Sequence, residues 1–473
     1  MRALAYPVIA LGLLLTVGVP PVFAGTDLLP LLTVLRDNGA ISSEQYHSLR
    51  RQAKQATDTD NANCEPQAGA TTATAESAET VAVLAVPGGP PAARTASPRE
   101  TIEPANVNVE TEGGLSVETV DGAFAFKLGG NLWVDGAVYD QDKTPLGNGL
   151  ELRRARLKLE GRLFRDWGFQ AEYGFAGNEA EVKDAYLAYE GFDGLAIKLG
   201  QFKVPFSLEE QTSGSNITFM ERALPVEAFS PGRKLGVGIM SGDKHWSAAA
   251  GLFGEAVGDD ASDEGDSGWS AAARGTYAPI DSKGRLVHLG ASVDYGETNA
   301  DNEVRYRTRP ETHVSDQRLV DTGDIDQVSD TLRWGLEAAS ALGPLSLQSE
   351  YIQAEAGRRA DLPNLEFDGW YVFGSWILTG EERRYDDKQG RFEGVEPEGP
   401  YGAWEAALRY SRVELSDAEI RGGKENDVTL GLNWYLNDNL RFMANYIWVD
   451  ADPNKDGESD RPDVFQVRAQ LDF

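Results

Sequence analysis

From residue 122 onward the chain repeats one pattern. Runs of roughly ten residues alternate apolar and polar side chains and are separated by turn residues. Sixteen such runs are predicted as strands, at 122–139, 150–163, 168–177, 179–190, 194–204, 233–241, 245–255, 268–278, 285–296, 331–342, 344–355, 366–379, 401–415, 427–437, 440–450 and 463–473. A period of two sends successive side chains to opposite faces. The last run shows this most cleanly, with Phe465, Val467, Ala469, Leu471 and Phe473 on one face and Gln466, Arg468, Gln470 and Asp472 on the other. A strand of a soluble sandwich would alternate equally well, so the pattern alone does not choose the solvent.

The connections and the charges do. An even count puts both ends of a closed barrel on the periplasmic side of an outer membrane. The connections then assigned to that side, 165–167, 192–193, 242–244, 278–284, 342–344 and 437–439, are short. Those assigned outside, 140–149, 205–232, 256–267, 297–330, 416–426 and 451–462, are mostly long. Segment 380–400 is the exception, a long connection on the short side. In the second run, Arg154, Arg156, Lys158, Glu160 and Arg162 share one face, and Ala155, Leu157, Leu159 and Leu163 share the other. A charge facing lipid at mid-depth costs roughly 2–4 kcal/mol, so the basic row must line a lumen. Arg153 breaks the alternation at the outer end, where it either snorkels to the rim or is turned inward by a bulge. Ten Trp and 16 Tyr suit interfacial aromatic girdles, and terminal Phe473 resembles the insertion signal of outer-membrane barrels. The expected fold is all-β, a 16-stranded antiparallel transmembrane β-barrel.

The 205–232 connection carries Pro205, Phe206, Phe219, Met220, Leu224, Pro225, Val226 and Phe229. A loop this long is usually functional. Its apolar content suits packing against a barrel wall, so it is read as an inward-folded constriction loop.

Before the barrel, residues 1–24 hold Arg2, an apolar run and Val22-x-Ala24, the layout of a cleaved signal peptide. Residues 25–56 predict two short amphipathic helices, which cannot bury their faces alone. They are read as a small periplasmic association module, threefold like the barrel. Residues 57–112, rich in Ala, Thr, Pro and Glu, read as a disordered linker, leaving 113–473 as the barrel. The single cysteine, Cys64, lies in that linker and excludes an internal disulfide. Mean hydropathy is -0.38, and no stretch after the N-terminus suits a transmembrane helix. A net charge of -31 argues against nucleic acid as a partner. That acidity does not fix pore selectivity, because the 256–267 and 451–462 carboxylates lie beyond a screening length of about 8 Å from a deep constriction.

The stretch Gly200-Gln201-Phe202-Lys203-x-Pro205-Phe206-Ser207-Leu208-Glu209, with Thr212-Ser213, Met220-Glu221-Arg222 and Arg233-x-x-Gly236, resembles the phosphate-selective porins O and P. The resemblance runs from about Asp121 to Phe473. It implies a trimeric outer-membrane channel of a Gram-negative bacterium, passing small anions, phosphate or polyphosphate, without a cofactor. It implies a narrow site built from Arg153, Arg154 and Arg156 on the second strand, Asp184 in the next hairpin, and Ser213 and Ser215 on the loop. It also implies an arginine ladder. Arg305, Arg307 and Arg309 fall on one side of an extended backbone at about 6.6–6.8 Å spacing, with Arg318 and Arg333 following. Guanidinium suits the task because it stays charged and matches oxyanions bidentately. The sequence departs from the family in having no Lys between Lys203 and Lys234, where Glu209 and Glu210 stand.

Outside that resemblance, Asp452, Asn454, Asp456 and Asp460 occupy positions 1, 3, 5 and 9 of a calcium-loop spacing, with Gly457 at 6 but Asp463 rather than Glu at 12. Calcium is a candidate ligand there; a solvated acidic turn is the alternative. His47, His245, His288 and His313 are scattered without catalytic or metal spacing, so no enzyme is expected. The rival functions are a general or differently selective porin, a barrel hydrolase with converging distant residues, and an envelope tether.

Overall fold

The computed structural model describes residues 107–111, 113–177, 180–258, 268–360 and 362–473. The signal peptide, the helical module, most of the linker and Cys64 lie outside the described residues.

A hairpin of β1 (Val107–Glu110) and β2 (Leu115–Thr119) precedes β3 (Phe124–Asp140), β4 (Gly149–Leu163), β5 (Trp167–Gly174), β6 (Glu181–Phe192) and β7 (Leu195–Lys203). The next connection carries two short helices, α1 (Leu208–Gln211) and α2 (Leu224–Phe229). Then come β8 (Arg233–Asp243), β9 (Trp246–Phe253), β10 (Trp269–Ser282) and β11 (Arg285–Glu297). An outer loop holds the ladder of β12 (Arg307–Thr308) and β13 (Val320–Asp321). It leads into β14 (Val328–Leu342), β15 (Leu345–Arg358) and β16 (Leu365–Ile377). A hairpin of β17 (Arg383–Asp386) and β18 (Arg391–Val395) precedes β19 (Ala403–Asp417), β20 (Ile420–Tyr435), β21 (Leu440–Ala451) and β22 (Asp463–Asp472).

Each wall strand pairs antiparallel with the next, and β22 closes on β3 from Asp463↔Asp140 to Asp472↔Asn131. The result is a 16-stranded barrel whose members are the sixteen alternating runs. Closure removes the edges that an open sheet would expose. Phe473 exchanges backbone bonds with Gly130, and β2 continues beside β3 past that point.

Two boundaries differ from expectation. The linker was expected to reach residue 112, yet Val107–Glu110 pairs with β2, as the Val107/Val109 alternation allows. The 416–426 segment was expected to be a loop, yet β19 and β20 extend through it to a tight turn at 418–419. Gly422 and Gly423 hide the alternation there. A Cβ on Gly422 would lie 2.2 Å from the Leu415 carbonyl oxygen, and Gly423 has φ +89.

The outer wall is apolar, with Leu157, Leu159, Leu199, Leu336, Leu347, Leu408, Phe465 and Val467 exposed. Aromatic side chains bound that band. Trp404, Trp434 and Phe442 stack near one rim, and Trp370 with Tyr410 and Tyr446 with Trp448 near the other. On β16 the rims are marked by Trp370 and Trp376, about 20 Å apart along the strand. No helix among the described residues is long and apolar enough to cross a membrane; this barrel crosses with strands.

Candidate constriction and solute path

The 204–232 connection folds into the lumen as expected. Its apolar face joins a cluster in which Phe206, Phe219, Leu224, Val226 and Phe229 pack against Ile352, Phe367, Tyr371, Phe373 and Val413 of the wall. The loop therefore lies on the β15, β16 and β19 side and leaves its polar face toward β4.

Lumen-facing side chains bind the loop backbone. Glu350 accepts from the Leu208 and Glu209 amides at 2.9 and 2.8 Å. Arg441 donates to the carbonyls of Ile217 and Thr218, Gln470 to Ser215, Asn433 to Thr218 and Arg468 to Met220. Thr212 caps Leu208 through its hydroxyl. Buried ion pairs add to this. Glu221 accepts both Arg153, at 2.8 Å through each oxygen, and Arg468 at 2.6 Å. Arg409 reaches Glu311 at 2.5 Å and Glu209 at 3.5 Å. Segment 380–400 also enters the lumen. Arg383 and Arg391 donate to the carbonyls of Asn216 and Gln211, and Phe392 packs on Leu208.

Between the loop and β4 lies a cavity of about 260 Å³. Its lining holds six cations, Arg154, Arg156, Lys158, Lys203, Arg222 and Arg233, together with Ser213, Gly214 and Ser215. Glu172 and Asp472 are the side-chain carboxylates in that lining, and Phe473 borders it. A bulge in β4 builds its upper edge. The register shifts between Trp133 and Val134, so Arg153 and Arg154 both turn inward instead of alternating. The inward option for Arg153 is the one observed.

Most of these cations are backed by carboxylates set behind them. Arg156 pairs with Glu172 at 2.8 Å, Lys158 with Glu160 at 3.0 Å, Arg222 with Glu210 at 2.9 Å and Arg233 with Asp184 at 2.8 Å. Lys203 donates to the Glu210 carbonyl and lies 3.8 Å from its carboxylate. Arg154 is different. It has no carboxylate partner among the described residues, and its Nε is buried without a hydrogen bond. Pairing neutralises net charge, but it leaves N–H groups free to face a solute.

The structure brings some of the residues named from sequence together and leaves others apart. Arg154, Arg156, Ser213, Ser215, Arg222 and Arg233 come together. Asp184 does not face the solute path; it is buried and holds Arg233. Glu209 and Glu210 are also turned away, onto Arg409 and the Ala223 amide, and onto Arg222. Lys203, which reaches in from the end of β7, and Lys158 also stand in that lining. Both were visible as basic residues, but a strand-end side chain folding back under its own loop has no pattern in sequence.

The ladder differs more. Arg305, Arg307 and Arg309 do share one face, alternating with buried Tyr306, Thr308 and Pro310. However, Arg305 is bound by Asp321 and Asp324, and Arg309 by Asp316 and Glu227. Arg307 and Arg318 have no carboxylate partner among the described residues; Arg318 donates to the Asp316 carbonyl. Partial burial, followed by the charges of Arg309 and Arg307, lowers the Arg318 guanidinium pKa. Arg333 faces the lumen but pairs with Asp294 at 2.8 Å under Tyr306.

In the 451–462 loop, Asp452 pairs with Arg461, Asn454 accepts the Asp456 and Glu458 amides, and Asp460 accepts the Lys143 and Thr144 amides. The last of these straps two outer loops together. No group of three or more His, Cys, Asp or Glu suited to a metal is found among the described residues. His245, His288 and His313 bond to the Ala278 carbonyl, Tyr385 and Glu151, not to Ser or Asp.

A closed transmembrane barrel narrowed by an inward loop defines a porin, a channel rather than an enzyme. The chain belongs to the phosphate-selective porin O and P family, whose model matches residues 126–473. It is 30% identical over 415 residues to Porin O of Pseudomonas aeruginosa, covering 79% of this chain and 94% of that protein. It is 31% identical over 420 residues to an uncharacterized protein of Caulobacter vibrioides, covering 82% and 84%. Among solved structures it is similar to the anion-selective porin from Comamonas acidovorans, with TM-score 0.49 and 15% identity, covering 74% of this chain and 100% of that one. The protein is thus a porin of a Gram-negative outer membrane.

Proposed function

We propose that the channel passes small anions by passive diffusion, and that phosphate or polyphosphate is the preferred solute. The observation that carries this reading is the cavity at the constriction, with six cationic and two carboxylate side chains in its lining. Arg307 and Arg318 at the outer mouth would collect anions before they reach it. Several moderate sites in series let an ion enter without being trapped. Ser213 and Ser215 add hydroxyls that can donate to an oxyanion. The reading extends to a homotrimer, with lipid against the rest of the apolar wall. Single channels in a potassium chloride gradient test it. The expected reversal potential is that of a chloride-preferring pore, and millimolar phosphate is expected to block the chloride current. Potassium preference overturns the anion assignment. Chloride preference without block leaves a general anion porin.

A further inference from the structure

The inward face of β3 carries an aromatic ring between two polar side chains. Trp133 sits between Asn131 and Asp135 on that face, fully buried. In register it opposes Arg154 on one neighbour and Gln470 on the other. The Arg154 guanidinium lies over its ring at 3.9 Å, and that of Arg468 at 4.6 Å. Its indole Nε1 donates to Asp472 Oδ1 at 3.2 Å.

We infer that Trp133 is a positioning residue that keeps Arg154 available to the permeating anion. This rests on the anion-passing reading above. Arg154 is flanked by carboxylates that could capture it, and each is already engaged. Asp472 accepts Trp133 Nε1, Ser215 Oγ at 3.0 Å and Gln470 Nε2 at 2.6 Å. Glu221 and Asp135 are taken by Arg153 and Arg468. The ring then gives the guanidinium a face to lie on that holds it without neutralising it. A cation over an aromatic face is attracted by the ring quadrupole, yet it keeps its in-plane N–H groups for other acceptors. Gly214 also comes close to the guanidinium, since a Cβ there would fall 2.3 Å from Arg154 Nη1. One residue thus acts twice: its face seats the cation, and its N–H helps to hold the nearest lining carboxylate off it.

The test uses the full-length channel in planar bilayers, with the chloride-to-potassium permeability ratio as the readout. Trp133→Leu removes both the face and the N–H, and is expected to lower the ratio by about fivefold. Trp133→Phe restores the face and is expected to recover most of it. The double variant Trp133→Leu with Arg154→Gln is expected to match Arg154→Gln alone, because the tryptophan acts through that arginine. A loss that adds to that of Arg154→Gln marks a merely structural role and overturns the inference. So does an unchanged ratio in Trp133→Leu, and so does a Trp133→Phe channel no better than Trp133→Leu. A wild-type channel that prefers potassium overturns the anion reading itself, and is distinguished from those results because it appears before any substitution.

Discussion

The Arg154→Glu channel is expected to reverse its ion preference, giving a reversal potential of opposite sign to the wild type in the same potassium chloride gradient. The reason lies in how the cavity charges are paired. Arg156, Lys158, Arg222 and Arg233 each face a carboxylate, and Lys203 shares Glu210. Arg154 is the surplus cation of the lining among the described residues. A unit charge at about 5 Å and an effective dielectric near 20 is worth roughly 3 kcal/mol to a passing ion. Exchanging its sign doubles that change, which exceeds what selectivity in a wet pore requires. The exposed pair Arg165–Asp121, at the short turn after β4, gives the control. Its side chains are 63% and 61% exposed, so Arg165→Gln is expected to leave the reversal potential unchanged.

The second large effect is expected at Glu221. Its carboxylate holds Arg153 from β4 and Arg468 from β22, and so ties the constriction loop to the two strands that flank β3. Glu221→Leu leaves Arg153 without its partner in a buried setting. Breaking a buried pair on one side costs about 3–5 kcal/mol. That is enough to unseat a loop held otherwise by packing and backbone bonds, so a larger and noisier single-channel conductance is expected. The tie through this carboxylate holds far into the acid range. Burial works against its ionisation, but the Arg153 pair and its hydrogen bonds, then Arg468, outweigh this and hold it well below the ordinary 4.5. A depressed carboxyl contributes fully above its unfolded value and is lost only as pH falls through its folded value. The hold of Glu221 on the loop is therefore expected to be lost only well below pH 4.5. Loosening already at mildly acidic pH, or a quiet Glu221→Leu channel of wild-type size, contradicts this role.

The barrel was legible because each wall strand must alternate when one face meets lipid and the other water. The 420–426 part of β20 escaped because glycines at Gly422 and Gly423 removed the side chains that carry the signal. The inward course of the 204–232 connection followed from its apolar residues, and the inward turn of Arg153 was one of two readings that the broken alternation allowed. Which carboxylates face the solute was not legible. Asp184, Glu209 and Glu210 look alike in sequence, and only three-dimensional placement shows them standing behind Arg233, Arg409 and Arg222. The spacing of Arg305, Arg307 and Arg309 gave their shared face correctly. It could not give Asp321 and Asp324, which pair with Arg305, or Asp316, which pairs with Arg309, from further along the same loop.

The central claim is that anions pass through the cavity between β4 and the constriction loop. Crystals of the channel grown with arsenate, a heavier analogue of phosphate, test it directly through anomalous scattering. The expected peak lies within hydrogen-bond distance of Arg154 and of Ser213 or Ser215. Arsenate bound elsewhere along the lumen, with that cavity empty, would contradict the account.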